Sequence, residues 1–168
     1  MVFAGDWTNI ERIAQGDYYM RFTTAFAIAA VTAIAFGATA VVAQQDPIAA
    51  RKAIMKANGA SAGAIGKMVK GEAPFDLAVA KKAFATFADA AAKMPDLFPA
   101  NSKTGGDTEA LPKIWEDMAD FKAKFVKFGA DSKDAEAAVK DLDSLKVVLG
   151  VVGKNCGGCH QTYRVKKS

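Results

Sequence analysis

From Asp46 onward the apolar residues recur every three or four positions, and no stretch alternates with a period of two. That is the spacing of one face of a helix, not of a half-buried strand. Four helical segments follow from it. The first covers residues 46–69, with Asp46 as N-cap and Pro47 in the first turn. Ile48, Met55, Ala62, Ile65 and Val69 form its apolar stripe. Gly59, Gly63 and Gly66 weaken this segment and are places where a neighbour could approach closely. Residues 70–75 break the pattern. Asp76 then caps a second segment over 77–93, in which Val79, Ala83, Phe84, Phe87, Ala90 and Ala91 are expected to face inward. Met94-Pro95 ends it. A non-helical stretch over 96–111 holds Pro99, Asn101, Gly105 and Gly106. Pro112 opens a third segment to residue 128, with Trp115, Met118, Phe121, Phe125 and Phe128 on its apolar face. Gly129 and the polar run to Glu136 either interrupt this helix or only ripple it. The fourth covers 143–166 and shares Leu145, Val148, Leu149, Val152, Cys156, Cys159 and Tyr163 on one broad face. Four amphipathic helices with mostly short connections predict an all-α chain folded as an antiparallel up-down four-helix bundle.

The pattern before Asp46 is different. Residues 20–43 begin with Met20-Arg21, continue as an uncharged apolar run and end in small residues at Val41-Val42-Ala43. This is the layout of a secretory signal peptide. The run is long enough for a transmembrane anchor, but alanine and threonine dominate it and favour cleavage. Residues 44–168 are then the exported domain, and the periplasm of a bacterium is the expected compartment. Residues 1–19 read as a misassigned start. Gln15-Gly16-Asp17 can be encoded with a ribosome-binding AAGGAG just upstream of the Met20 codon, and a peptide from residues 1–19 in cell extract would refute this.

Charge changes this picture little. Residues 44–168 carry 20 basic against 15 acidic side chains, with no basic block. That balance does not argue for nucleic acid; it suits solubility and weak docking to an acidic partner. No paired carboxylates, no nucleophile beside a base and no distal histidine suggest an enzyme.

Both cysteines of the chain fall in Cys156-Gly157-Gly158-Cys159-His160. Cys-x-x-Cys-His is the attachment motif of c-type haem. On a helix, positions i, i+3 and i+4 share one face. Cys156 and Cys159 can each reach a vinyl group along one porphyrin edge, and His160 can point an imidazole nitrogen at the iron. A redox dithiol would need a βαβ setting, and no strand precedes the motif. A structural zinc site needs four ligands, yet His160 is the only histidine and there is no third cysteine. The expected cofactor is therefore one haem c.

The motif lies near the C-terminus and is followed by Tyr163-Arg164-Val165-Lys166. In this it resembles the class II cytochromes c, the cytochrome c-prime group. Arg51-Lys52-Ala53-Ile54-Met55, Lys70-Gly71-Glu72-Ala73-Pro74-Phe75-Asp76, Leu97-Phe98-Pro99 and Pro112-Lys113-Ile114-Trp115 agree with it in order, so that the resemblance covers residues 45–167. It implies a haem between the helices with one edge open to solvent. Arg51 matches an arginine near a haem propionate, and Arg164 a basic residue beside the proximal histidine. Relatives dimerise through their first two helices; monomer and homodimer both remain open for this chain.

The sixth iron position decides function. A second histidine is excluded, and thioether sulfur comes next, with Met55, Met68, Met94 and Met118 available. Met55 is the choice: it lies on the inward stripe four residues after Arg51. The resemblance implies a ligating methionine there in low-spin members and a bulky apolar residue in high-spin ones. Met68 and Met118 read as core and Met94 as helix-end packing. The expectation is a low-spin electron carrier working between larger redox proteins, with Lys154, Lys166 and Lys167 available to steer it. The alternative is a five-coordinate haem that binds nitric oxide or carbon monoxide.

Overall fold

Asp46 and Pro47 start the first helix as their chemistry requires: the Asp46 carboxylate accepts the Ile48 N–H at 2.9 Å. The computed structural model describes residues 46–166; the readings made on residues 1–43 and on Lys167 lie outside the described residues. Helix α1 is Pro47–Val69 and α2 is Leu77–Lys93. Two 3₁₀ turns, Met94–Leu97 and Ala100–Ser102, and a single helical turn, Lys113–Glu116, bridge to α3, Met118–Ala138. Helix α4 is Leu142–Tyr163. The chain is an all-α four-helix bundle, and among the described residues there is no strand.

The third segment differs from its predicted bounds. The backbone leaves the helix at Asp117 (φ −131°, ψ 60°), whose carboxylate caps α3 by accepting the Asp120 N–H at 3.2 Å. A local cap replaces helix continuation there. Helix α3 then runs well past Gly129, because Gly129 is a contact and not a break: a Cβ at that position would lie 3.2 Å from the Ala91 Cβ of α2. The fourth helix starts at a capping box, with Asp141 and Ser144 bonding each other's backbone N–H. It ends at Tyr163, three residues before the predicted end, and at Arg164 the chain turns extended and bridges to Ala110.

The core is aromatic. Phe84, Phe87, Phe98, Phe121, Phe125 and Phe128 are buried with Ile65, Met68, Met94, Ile114, Leu145 and Val152. Phe121 makes edge contacts with Phe98, Phe125 and Tyr163 at centroid distances of 4.7, 5.1 and 5.2 Å. The inward face of α2 holds as read, except that Val79 is exposed and Ala80 takes the buried place. The α1 glycines do not mediate a close approach either, since a Cβ at Gly59, Gly63 or Gly66 would meet nothing within 4 Å. Helices α1, α2, α3 and α4 pack in sequence, but α1 and α4 meet only sparsely. That gap is where the candidate site lies.

Candidate haem site

The gap between α1 and α4 is a cavity of about 730 Å³, within the range of cofactor and ligand pockets. Arg51 and Met55 of α1 line it, as do Cys156, Cys159 and His160 of α4 and Arg164 just beyond. The six residues singled out in the sequence thus share one cavity. Its inner wall is apolar and aromatic, formed by Phe87, Phe98, Ile114, Phe121, Phe125 and Phe128.

Two hydrogen bonds between α3 and α4 bracket the Cys-x-x-Cys-His turn. Asn155, just before Cys156, donates from Nδ2 to Asp131 Oδ2 at 2.6 Å, and Lys127 pairs with the same oxygen at 2.6 Å. Both contacts hold the Asp131 carboxyl below its usual range, Lys127 first. Beyond His160, the Tyr163 hydroxyl donates to Asp120 Oδ2 at 2.5 Å. Burial and this carboxylate push the Tyr163 phenol well above its ordinary value. Together these bonds fix the rotation and register of the helical turn that presents the two sulfurs and the imidazole.

Burial, and then the Arg164 cation, lower the His160 pKa. The imidazole is therefore neutral near pH 7, with a lone pair available to a metal. Burial raises both cysteine pKa values, which is opposite to the activated thiolate of a redox dithiol. Among the described residues no cluster of three or more His, Cys, Asp or Glu side chains could hold a bare metal ion.

Arg51 is 5 % exposed, so it is not on a solvated helix face. Its Nη1 donates to Leu97 O at 3.1 Å and Ser102 Oγ at 2.9 Å; its Nη2 donates to Ser102 O at 3.0 Å and Thr108 Oγ1 at 3.1 Å. The guanidinium also stacks 4.4 Å from the Phe98 ring centroid. Arg51 therefore ties α1 to the 97–108 segment that forms one rim of the cavity. From the other side, Leu111 N–H donates to Tyr163 O at 3.0 Å and Val165 N–H to Glu109 O at 2.9 Å. Arg164 sits on this rim, 3.7 Å from Glu109 in a half-exposed ion pair that is worth little on its own.

Sequence reasoning did not find Asn58, Asp120, Asp131 or Asn155. Their roles depend on which residue of another helix stands opposite, and spacing along one helix carries no such signal. Asn58 is the residue behind the one buried side-chain polar atom, Oδ1, that lacks a partner among the described residues.

Paired sulfurs, a neutral imidazole, apolar walls and a rim holding Arg51, Lys52, Lys124 and Arg164 fit a haem: the ring is apolar and its propionates are anionic. A four-helix bundle that holds Cys-x-x-Cys-His against such a cavity defines the class, a c-type cytochrome of bundle architecture. A family model described as cytochrome c′ matches residues 46–164. Cytochrome c′ of Rhodopseudomonas palustris is 51% identical over 135 residues, 80% of this chain and 92% of that protein. Cytochrome c-556 of Agrobacterium tumefaciens is 43% identical over 119 residues, 70% of this chain and 94% of that protein. A solved structure of the Rhodopseudomonas palustris cytochrome c′ superposes with a TM-score of 0.72 at 53% identity, covering 74% of this chain and 100% of that one. The chain belongs to this family, the class II cytochromes c. The family binds haem c covalently through cysteines, and this chain's two cysteines both line the cavity. It is a monohaem cytochrome.

Proposed function

We propose that this cytochrome is a periplasmic one-electron carrier whose haem iron is held between His160 and Met55 in a low-spin state. The observation that carries the reading is that Met55 and His160 line one cavity from α1 and α4, the two helices that leave it open. When bound, the haem supplies a one-electron ferric/ferrous couple, and thioether–imidazole ligation raises its potential among c-type haems.

The chain's own residues do the rest. Cys156 and Cys159 would hold the cofactor through thioethers. His160, neutral because it is partly buried beside Arg164, would offer its lone pair to the iron. Met55 would offer a soft sulfur from α1. The phenylalanine wall excludes water, so little solvent rearranges when the charge changes. Arg51 has its four terminal N–H groups occupied by the protein, and it compensates propionate charge mainly through its fixed cation. Arg164 does the same from the opposite rim. A ligand set that is complete in both oxidation states suits electron transfer better than binding of a substrate.

Export is supported by the leader pattern over residues 20–43. Among the described residues no helix is long and apolar enough to cross a membrane. Donor and acceptor are other redox proteins, and Lys154 and Lys166, exposed on either side of the haem-attachment segment, are available to steer them.

Optical spectra of the oxidised and reduced protein, with and without carbon monoxide, test the reading. The wild-type protein is expected to be low-spin and inert to carbon monoxide, and Met55→Ala to be high-spin and to bind it. A wild-type protein already high-spin and open to carbon monoxide would replace this reading with the five-coordinate, gas-binding one.

A further inference from the structure

Helix α1 carries one polar side chain that its own packing does not explain. Asn58 is half-buried in the cavity wall three residues beyond Met55. Its Nδ2 lies 4.0 Å from Met55 Sδ, at the reach of an N–H···S contact. Its Oδ1 is buried without a partner. Leaving a buried amide oxygen unpaired is costly in an otherwise satisfied fold, and an apolar residue would fit this wall better. Flipping the amide would not relieve it, because the oxygen would then face a sulfur that donates nothing. Positions i and i+3 share a helix face, so the amide and the Met55 thioether line the cavity side by side.

We infer that Asn58 is a positioning residue for the sixth ligand: its amide N–H holds the Met55 thioether and tunes how strongly the sulfur donates to the iron. This rests on the proposal that Met55 ligates. A sulfur lone pair engaged by an N–H is a poorer donor to ferric iron, which relatively favours the ferrous state and raises the potential. It also restricts the thioether to one rotamer. Residues that hydrogen-bond a metal ligand commonly act in both ways. Donor loss at a single hydrogen bond changes an equilibrium by about fivefold.

The test uses the purified haem-loaded protein and two variants. Asn58→Leu keeps the branched outline and the number of side-chain heavy atoms and removes the donor. Asn58→Asp keeps shape, removes the donor when ionised and adds a negative charge. Both are read by redox titration and by the red charge-transfer band of thioether bound to ferric iron, with thermal melting as the control for folding. In Asn58→Leu the equilibrium constant for reduction should fall about fivefold, a drop in potential of about 40 mV at 59 mV per tenfold, and the charge-transfer band should shift. Asn58→Asp should fall further, and it carries the test if the leucine variant does not fold. Variants whose melting changes while potential and band stay at wild-type values would overturn the inference and leave Met55 ligation standing. A wild-type protein without the thioether band would remove Met55 ligation itself, and this inference with it.

Discussion

Where α2 meets α3, the seam is filled. The rings of Phe87 and Phe128 stand 6.0 Å apart, and the Cβ that Gly129 lacks would come within 3.2 Å of Ala91. Where α1 faces α4, the seam is open. A Cβ at Gly59, Gly63 or Gly66 of α1, or at Gly150, Gly153, Gly157 or Gly158 of α4, would meet nothing within 4 Å, and of these Gly59 lines the cavity. The same residue type serves two ends: on α3 it lets two helices touch, and on α1 and α4 it merely leaves them slim. The difference separates two tasks. The closed seam buries enough aromatic surface to hold the bundle, and the open seam leaves room for a flat cofactor that will itself supply the missing contacts.

The largest effect that tests this contrast is at Phe84, fully buried on α2 with an edge contact to Phe87 at 6.0 Å. Phe84→Ala is expected to cost about 3–5 kcal/mol in chemical denaturation. A loss no greater than that of an exposed substitution would mean that the closed seam is not what holds the fold.

A pair of glycine replacements sharpens the comparison. Gly129→Leu overfills the α2–α3 contact and should destabilise by about 1–3 kcal/mol. Gly63→Ala adds a methyl where nothing stands within 4 Å, and should stabilise α1 by about 0.5–1 kcal/mol through helix propensity alone. Melting curves of the two variants should therefore move in opposite directions; movement in the same direction would erase the distinction between the seams.

The smallest effect is at the entry to α4. The Asp141 carboxyl is held below its usual range by hydrogen bonds from the Ser144 side chain and backbone. A carboxyl with a depressed folded-state pKa stabilises fully above its unfolded value of about 3.9, and that stabilisation fades as pH falls through the lower folded value. Asp141→Ala should lower the melting temperature near neutral pH by a few degrees, and the gap from wild type should close in acid. A gap that persists unchanged in acid would show that the capping carboxylate is not its source.

Elements bounded by strong local chemistry were legible before the fold. Asp46-Pro47 and Asp76 mark the starts of α1 and α2, and Pro95 follows the end of α2, because caps and prolines act over one turn. The haem segment was equally plain, since five adjacent residues define it. The third helix was misjudged at its start, and its continuation past Gly129 was left open. Asp117 competes for its own backbone in a way that a period-3.6 pattern does not register, and Gly129 reads equally as a break or a ripple until Ala91 is seen opposite it. Arg51 was expected near a propionate; its burial against Leu97, Ser102 and Thr108 depends on a loop about fifty residues away in sequence.

The amino-acid order alone determined four helices, their apolar faces and the Cys156–Cys159–His160 attachment turn, because each arises from contacts within a few residues of chain. Only the tertiary structure decided which pair of helices stays apart, and so which side chains face the cavity between them. It also decided that Asp131 and Asp120 anchor the attachment turn from α3, and that Asn58 is left with a buried, unpartnered oxygen beside Met55. Those outcomes depend on the relative placement of whole helices, which long-range packing sets and no local pattern records.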